Sequence, residues 1–128
     1  MTDTATTPTA LGRRFVEALA IKDAEALRAV LHHEVDFRGL TPNRFWEAND
    51  RDAVLEIVFG VWFGADAELE ELVLMHSDAF ADREQVRFRF RGRNRDGPMV
   101  VEQQAYLTER DGLIGWMRVV CSGQRPPA

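Results

Sequence analysis

From Val86 to Arg91 the chain reads Val-Arg-Phe-Arg-Phe-Arg, apolar and cationic residues in strict alternation. Successive side chains of a strand point to opposite faces, so Val86, Phe88 and Phe90 take one side and Arg87, Arg89 and Arg91 the other. Such a segment is a strand with one buried face and one wet face. Asn94 to Gly97 follows as a hairpin turn, with Asp96-Gly97 suited to positive φ, and Met99 to Glu109 is the return strand. Asp111-Gly112 is the next hairpin, and Leu113 to Ser122 the last strand. Upstream, Leu72 to Phe80 reads as a further strand.

Before Gly64 the period is helical. Leu11, Phe15, Ala18 and Leu19 fall on one face of a first helix. Asp23 reads as the N-cap of a second, with Ala24, Leu27, Val30 and Leu31 on its apolar face and His32 and His33 closing it. A brief strand, Val35 to Arg38, leads to a loop with Gly39, Pro42 and Asn43. Asp50 caps a third helix, Arg51 to Phe63, apolar around more than one stripe and so expected to be largely enclosed. Three helices followed by long antiparallel strands define an α+β domain, with the sheet expected to curl around the helices.

A chain of 128 residues suits one domain, here 9–122, between a disordered tail, 1–8, and a Pro-rich C-terminal tail, 123–128, that cannot join a ladder. Net charge is −5, which argues against nucleic acid or an acidic membrane as partner. The start carries no signal-peptide pattern, no stretch is apolar enough to span a bilayer, and Cys121 has no disulfide partner, so a cytoplasmic location is expected. Lys22 is the only lysine, and six of the arginines lie on or beside one strand, at 83, 87, 89, 91, 93 and 95.

The segments FVEALAIKDAEALRAVLHHEVDF, VRFRFRG and ERDGLIGWMRVV, in that order, resemble the opening helix pair, middle strand and final hairpin of the NTF2-like superfamily, also called SnoaL-like or ketosteroid isomerase-like. LTPNRFWEA and CSGQRP resemble segments of actinobacterial members. The resemblance implies a cystatin-like cone, with three N-terminal helices on a curved, mainly antiparallel sheet. The superfamily holds isomerases, cyclases, hydrolases and non-catalytic modules, so it fixes fold and not function.

The residues of its known chemistries are not matched. Ketosteroid isomerase-like catalysis needs a carboxylate base and two acidic donors. The resemblance puts those donors at Phe15 and Gln104 and the base at Arg38 or Gly39, none of which has the required chemistry. The final-strand acid of epoxide hydrolases falls at Arg118, and Trp116-Met117-Arg118 lacks a cyclase carboxylate as well.

With Gln104 facing inward, as the resemblance implies, period-2 counting also takes Val100, Glu102, Tyr106 and Thr108 into the cone. Val86, Phe88, Phe90, Met117, Val119 and Cys121 then oppose them, and Phe15, Leu19, Val58 and Trp62 close the cavity from the helices. A small hydrophobic ligand suits this lining, with Gln104, Tyr106, Trp46, Arg38, Phe15, Phe88, Trp62 and Met117 as its contacts and no cofactor. Phe45 and Trp46 form a lid or cap the core. His32, His33 and His76 lack metal-site spacing, so no metal is expected. The same count puts Val101, Ala105, Leu107, Trp116 and Val120 on the outer face, where a homodimer through Trp116, Leu107 and Arg89 is expected. Three functional readings follow. The first is a ligand binder without catalysis. The second is a small isomerase, cyclase or hydrolase with Glu102 as general acid/base, its pKa raised by an apolar setting. The third is a dimeric interaction module.

Overall fold

The computed structural model describes residues 10–127, so the expected tail, 1–8, lies outside the described residues. Helix α1 (Ala10–Ala20) buries Leu11, Phe15, Ala18 and Leu19, as the spacing predicts. Beyond it the chain turns at Lys22, whose φ is 51°. From that turn the Lys22 ammonium donates to the carbonyls of Gly64 and Ala67, both at 2.7 Å. The single lysine is thus a strut between the first helices and a distant loop.

Asp23 caps α2 (Ala24–Val30), its Oδ1 accepting the Ala26 amide at 3.0 Å. His32 and His33 do not close this helix. Leu31 is already extended (φ −98°, ψ 135°), and the histidines belong to strand β1 (Leu31–Thr41), which outruns the predicted Val35–Arg38 at both ends. The cause is tertiary: β1 lies parallel to the last strand of the chain and takes ladder partners from it between Leu31 and Leu40. After Pro42-Asn43 the chain returns as β2 (Arg44–Ala48), so Phe45 and Trp46 are hairpin residues and not a loop.

Asp50 caps α3 (Arg51–Ile57), accepting the Ala53 amide at 2.8 Å. The helix expected to continue to Phe63 changes winding instead. Val58–Trp62 is a π-helical turn, closed by the Phe63 amide donating to the Val58 carbonyl at 2.8 Å.

Strands β3 (Glu68–Phe80), β4 (Arg83–Asn94), β5 (Gly97–Arg110) and β6 (Leu113–Cys121) complete one six-stranded sheet. Its order is β2-β1-β6-β5-β4-β3, antiparallel throughout except for β1 beside β6. Asp111 (φ 55°) and Gly112 (φ 80°) make the tight β5–β6 turn their sequence predicts. The β4–β5 turn uses positive φ at Gly97 alone. The segment after β6 does join the sheet, since Arg125 exchanges backbone hydrogen bonds with Val100 at 2.7 and 2.9 Å. Arg125 keeps its own N–H, and only its successors are prolines. No helix among the described residues is long and apolar enough to cross a membrane.

The helices pack on one face of this sheet, and the inner side chains run across it in rows. One row is Phe37, Met117, Leu107 and Glu84, and another is Cys121, Gln103 and Phe88. Val101, Ala105 and Leu107 are therefore inside, correcting the outer placement expected of them. Glu102, Gln104, Tyr106 and Thr108 are correspondingly outside. A slip of one residue in the reading of a strand reverses every side chain on it.

Lys22→Met should lower unfolding stability by about 1–3 kcal/mol, because two part-buried hydrogen bonds of a charged donor are lost together. An unchanged urea midpoint would show that the strut contributes nothing.

Candidate functional site

An open cleft of about 400 Å³ lies where the β1–β2 hairpin, the π-helical turn and the end of β6 meet. Trp46, Trp62, Phe63, Val61 and Cys121 give it apolar walls, and Thr41, Gln124 and Arg125 stand among its polar lining. Trp46 is fixed in place: its indole N–H donates to Thr41 Oγ1 at 2.9 Å and the Arg44 guanidinium covers its ring at 3.8 Å. Trp62 meets Trp46 edge-on at 6.4 Å and Phe37 at 5.8 Å. Its ring lies directly on Gly39, where a Cβ would come within 2.6 Å of the Trp62 ring, so no larger residue fits there. The Trp62 carbonyl accepts from Gln124 Nε2 at 2.7 Å, and Gln124 Oε1 accepts from Asn94 at 2.8 Å.

Beside the cleft is the inner wall of the sheet. Cys121 lines the cleft, and its partner on β5 is Gln103, which faces Phe88 on β4. Phe88 packs edge-on against Phe15 of α1 at 6.2 Å. Gln103 is 1% exposed, and neither its Oε1 nor its Nε2 has a hydrogen-bond partner. The indole N–H of the buried Trp62 is unpartnered too.

No protein-family model matches the chain, and no curated protein matches it. Solved structures do. A provisionally named polyketide cyclase from Xanthomonas campestris pv. campestris is 18% identical, with 88% of each chain covered and a TM-score of 0.70. A hypothetical protein from Catenulispora acidiphila with a ketosteroid isomerase-like fold, in complex with trimethylamine, is 12% identical over 88% of this chain and 85% of that one, at a TM-score of 0.70. An LEH-like epoxide hydrolase from M. tuberculosis is 12% identical, covering 91% and 84%, at 0.68. The chain has the NTF2-like fold.

On this NTF2-like sheet the residues expected to line the pocket divide. Phe15, Phe88 and Met117 are fully buried on the inner side, and Trp46 and Trp62 line the cleft. Glu102 is outside, with its Oε1 held by Arg89 Nη2 at 2.8 Å and Nε at 2.9 Å. Gln104 is outside as well and donates to the Tyr106 hydroxyl at 3.1 Å. Arg38 turns away from the cleft to Asp36 and Glu47, each at 3.4 Å. The structure thus removes Glu102, Gln104, Tyr106 and Arg38 from the pocket. The inward-facing glutamine of β5 is Gln103, next to the Gln104 that the resemblance implies. The signal was present: Met99, Val101, Ala105 and Leu107 alternate with Val100, Glu102, Gln104, Tyr106 and Thr108, and the more apolar set belongs inside. Counting a family spacing back from the Gly112 turn points instead to Gln104, its neighbour on the outer face.

His32 and His33 stack at 4.4 Å with Glu34 close by, a grouping with the right atoms for a metal. His32 Nδ1, however, accepts the Glu34 amide at 3.0 Å, which leaves the ring proton on Nε2, 3.4 Å from Asp111 Oδ2. Both nitrogens of His32 are therefore engaged, and the Glu34 carboxylate is paired with Arg110 at 3.0 Å. His76 and Asp78 share the outer end of β3, exposed, with Asp78 bonded to its own neighbour's amide at 2.8 Å.

The buried inner carboxylate is Glu84. Its Oε1 accepts the Gly12 amide at 3.0 Å and so caps α1 from a distant strand. Burial pushes its pKa above the ordinary 4.5, Glu109 pushes the same way, and the amides of Gly12 and Leu11 pull it back. The folded state thus binds this proton more tightly than the unfolded chain. Its contribution to stability is full below pH 4.5 and is lost as pH rises through the raised value. Urea midpoints of wild type minus Glu84→Gln should therefore fall with pH across that window, and a difference that rises would contradict the assignment.

Proposed function

We propose that the protein binds a small, largely apolar molecule in the cleft between Trp46 and Trp62, as a homodimer and without performing chemistry on it. The observation that carries this is the pair of cleft tryptophans, one held rigidly and both presenting apolar surface, in a lining free of carboxylates. The only charged side chain in that lining is Arg125, at its exposed rim. Glu84 is engaged as a helix cap, and Glu102 faces away, paired to Arg89. Neither carboxylate can move a proton on a molecule in the cleft, so Glu102 loses the setting that a general acid/base needs. Proteins of the same fold are named for a cyclase and an epoxide hydrolase, and the Catenulispora protein holds trimethylamine. Small-molecule handling is the common element of those names.

Native mass spectrometry and thermal shift against steroids, polyketide fragments and terpenoids test the reading. At least one class should raise the melting temperature, and Trp46→Ala should weaken that ligand about tenfold through loss of a ring wall. No stabilisation by any class would overturn it and leave only a protein-interaction role.

The dimer reading rests on the outer face. Phe45, Leu40 and Val120 are cross-strand neighbours there, 56%, 50% and 58% exposed, and form a continuous apolar strip. Arg118 and Tyr106 flank it, and Trp116 lies between the guanidinium groups of Arg83 and Arg118 at 3.9 and 4.4 Å. An apolar centre with an aromatic and arginine margin fits a protein interface. Leu107, expected in that interface, is inside the core, whereas Trp116 and Arg89 remain on this face. Sedimentation should give twice the chain mass, and Val120→Glu should give a folded monomer. A monomeric wild type would end the dimer proposal.

A further inference from the structure

Two polar groups stand out at the cleft end of the sheet because their neighbours are satisfied and they are not. The indole N–H of Trp46 bonds Thr41, and the Gln124 amide bonds both Trp62 and Asn94. The amide of Gln103 bonds nothing through either atom, and the indole N–H of Trp62 bonds nothing either, although Gln103 is 1% and Trp62 7% exposed. Polar groups buried without partners weaken the protein that carries them. Trp62 forms a wall of the cleft, and Gln103 lies behind its lining as the β5 partner of the cleft residue Cys121, so a ligand group that meets Gln103 enters past Cys121. Trp62 also ends a π-helical turn containing Gly60, and its ring rests on Gly39.

We propose that the ligand of this cleft carries a neutral group with a hydrogen-bond donor and acceptor side by side, a lactam or primary carboxamide, which pairs with Gln103 and accepts from Trp62. This rests on the reading of the cleft as a ligand site. A glutamine amide offers N–H and C=O in one plane. The N–H and C=O edge of a cis-amide is its complement, and the ligand carbonyl has a second lone pair for the indole N–H. A ketone or lactone has acceptors only and leaves Gln103 Oε1 unpaired. A carboxylate would set its negative charge against the partly negative Oε1 and lose its water beside Phe88.

Four matched bicyclic probes separate these cases by calorimetric titration: oxindole (lactam), benzofuranone (lactone), indanone (ketone) and indane (hydrocarbon). Wild type should bind oxindole about tenfold more tightly than benzofuranone or indanone, and indane most weakly. Gln103→Leu, which replaces an unpaired amide by an apolar side chain of similar size, should fold, bind indane at least as well, and lose the oxindole preference. Trp62→Phe should weaken the three carbonyl probes and spare indane. In nitrogen–proton NMR spectra, oxindole should move the Gln103 amide and Trp62 indole signals while indane does not. Equal affinity for indane and oxindole, or a preference that survives Gln103→Leu, overturns the amide proposal and leaves the ligand site standing. Failure of all four probes, together with failure of the broader ligand panel, overturns both.

Discussion

The pairing of β5 with its two neighbours is the constraint on which the rest of the molecule depends. With Gln103 opposite Phe88 on one side and Cys121 on the other, the odd-numbered residues of β5 face the helices and the even-numbered ones face outward. Slipping that register by one would carry Glu102, Gln104 and Tyr106 into a core made by Phe15, Phe37, Phe63, Phe88 and Phe90, and push Val101, Ala105 and Leu107 out. A carboxylate in such surroundings costs several kcal/mol even after its proton equilibrium adjusts. The same parity assembles the outer face, where Glu102 meets Arg89 and Trp116 lies between Arg83 and Arg118. One choice of register thus separates the apolar lining from the ionic exterior.

Local signals in the sequence were reliable wherever the deciding force was local. The caps at Asp23 and Asp50, the turn at Asp111-Gly112 and the faces of α1 and β4 stand as their residues predict, because each is settled within a few positions along the chain. What escaped was decided elsewhere in the fold. β1 is long because β6 lies alongside it, His32 is a strand residue for the same reason, and α3 rewinds where Trp62 must reach Gly39. The candidate site shows the same division. Trp46 and Trp62 in the cleft and Phe15, Phe88 and Met117 on the inner side stand where apolarity and order place them, whereas a family spacing points to Gln104 in place of its inward neighbour Gln103. Its own alternation, polar in an otherwise apolar set, was the better guide.

The arginines and the one lysine are not interchangeable here. Arg89, Arg91, Arg95 and Arg110 each reach a carboxylate across the surface, so the acidic excess of the chain is partly spent in balancing them. Exposed pairs of this kind hold little free energy individually, and their effect is to keep a long wet strand face from pairing wrongly. Arg83 and Arg118 use their planar faces on Trp116, which an ammonium would do less well. Lys22 works in the opposite sense. Its compact ammonium donates to two carbonyls 2.7 Å away as a point charge, with no planar face in use.

The two ends of the inner face put buried polarity to opposite uses. At one end Glu84 is buried with a partner, and its hydrogen bond to Gly12 ties α1 to β4. At the other, Gln103 and Trp62 are buried among aromatic rings without partners. A satisfied buried group holds a fold together, whereas an unsatisfied one lowers the stability of the chain by itself and raises its affinity for any molecule that completes it. Stability is therefore linked to proton concentration at the Glu84 end and to ligand concentration at the Gln103 end. The row of Val119, Ala105 and Val86 separates the two, so each linkage acts on the same global unfolding equilibrium without needing contact with the other.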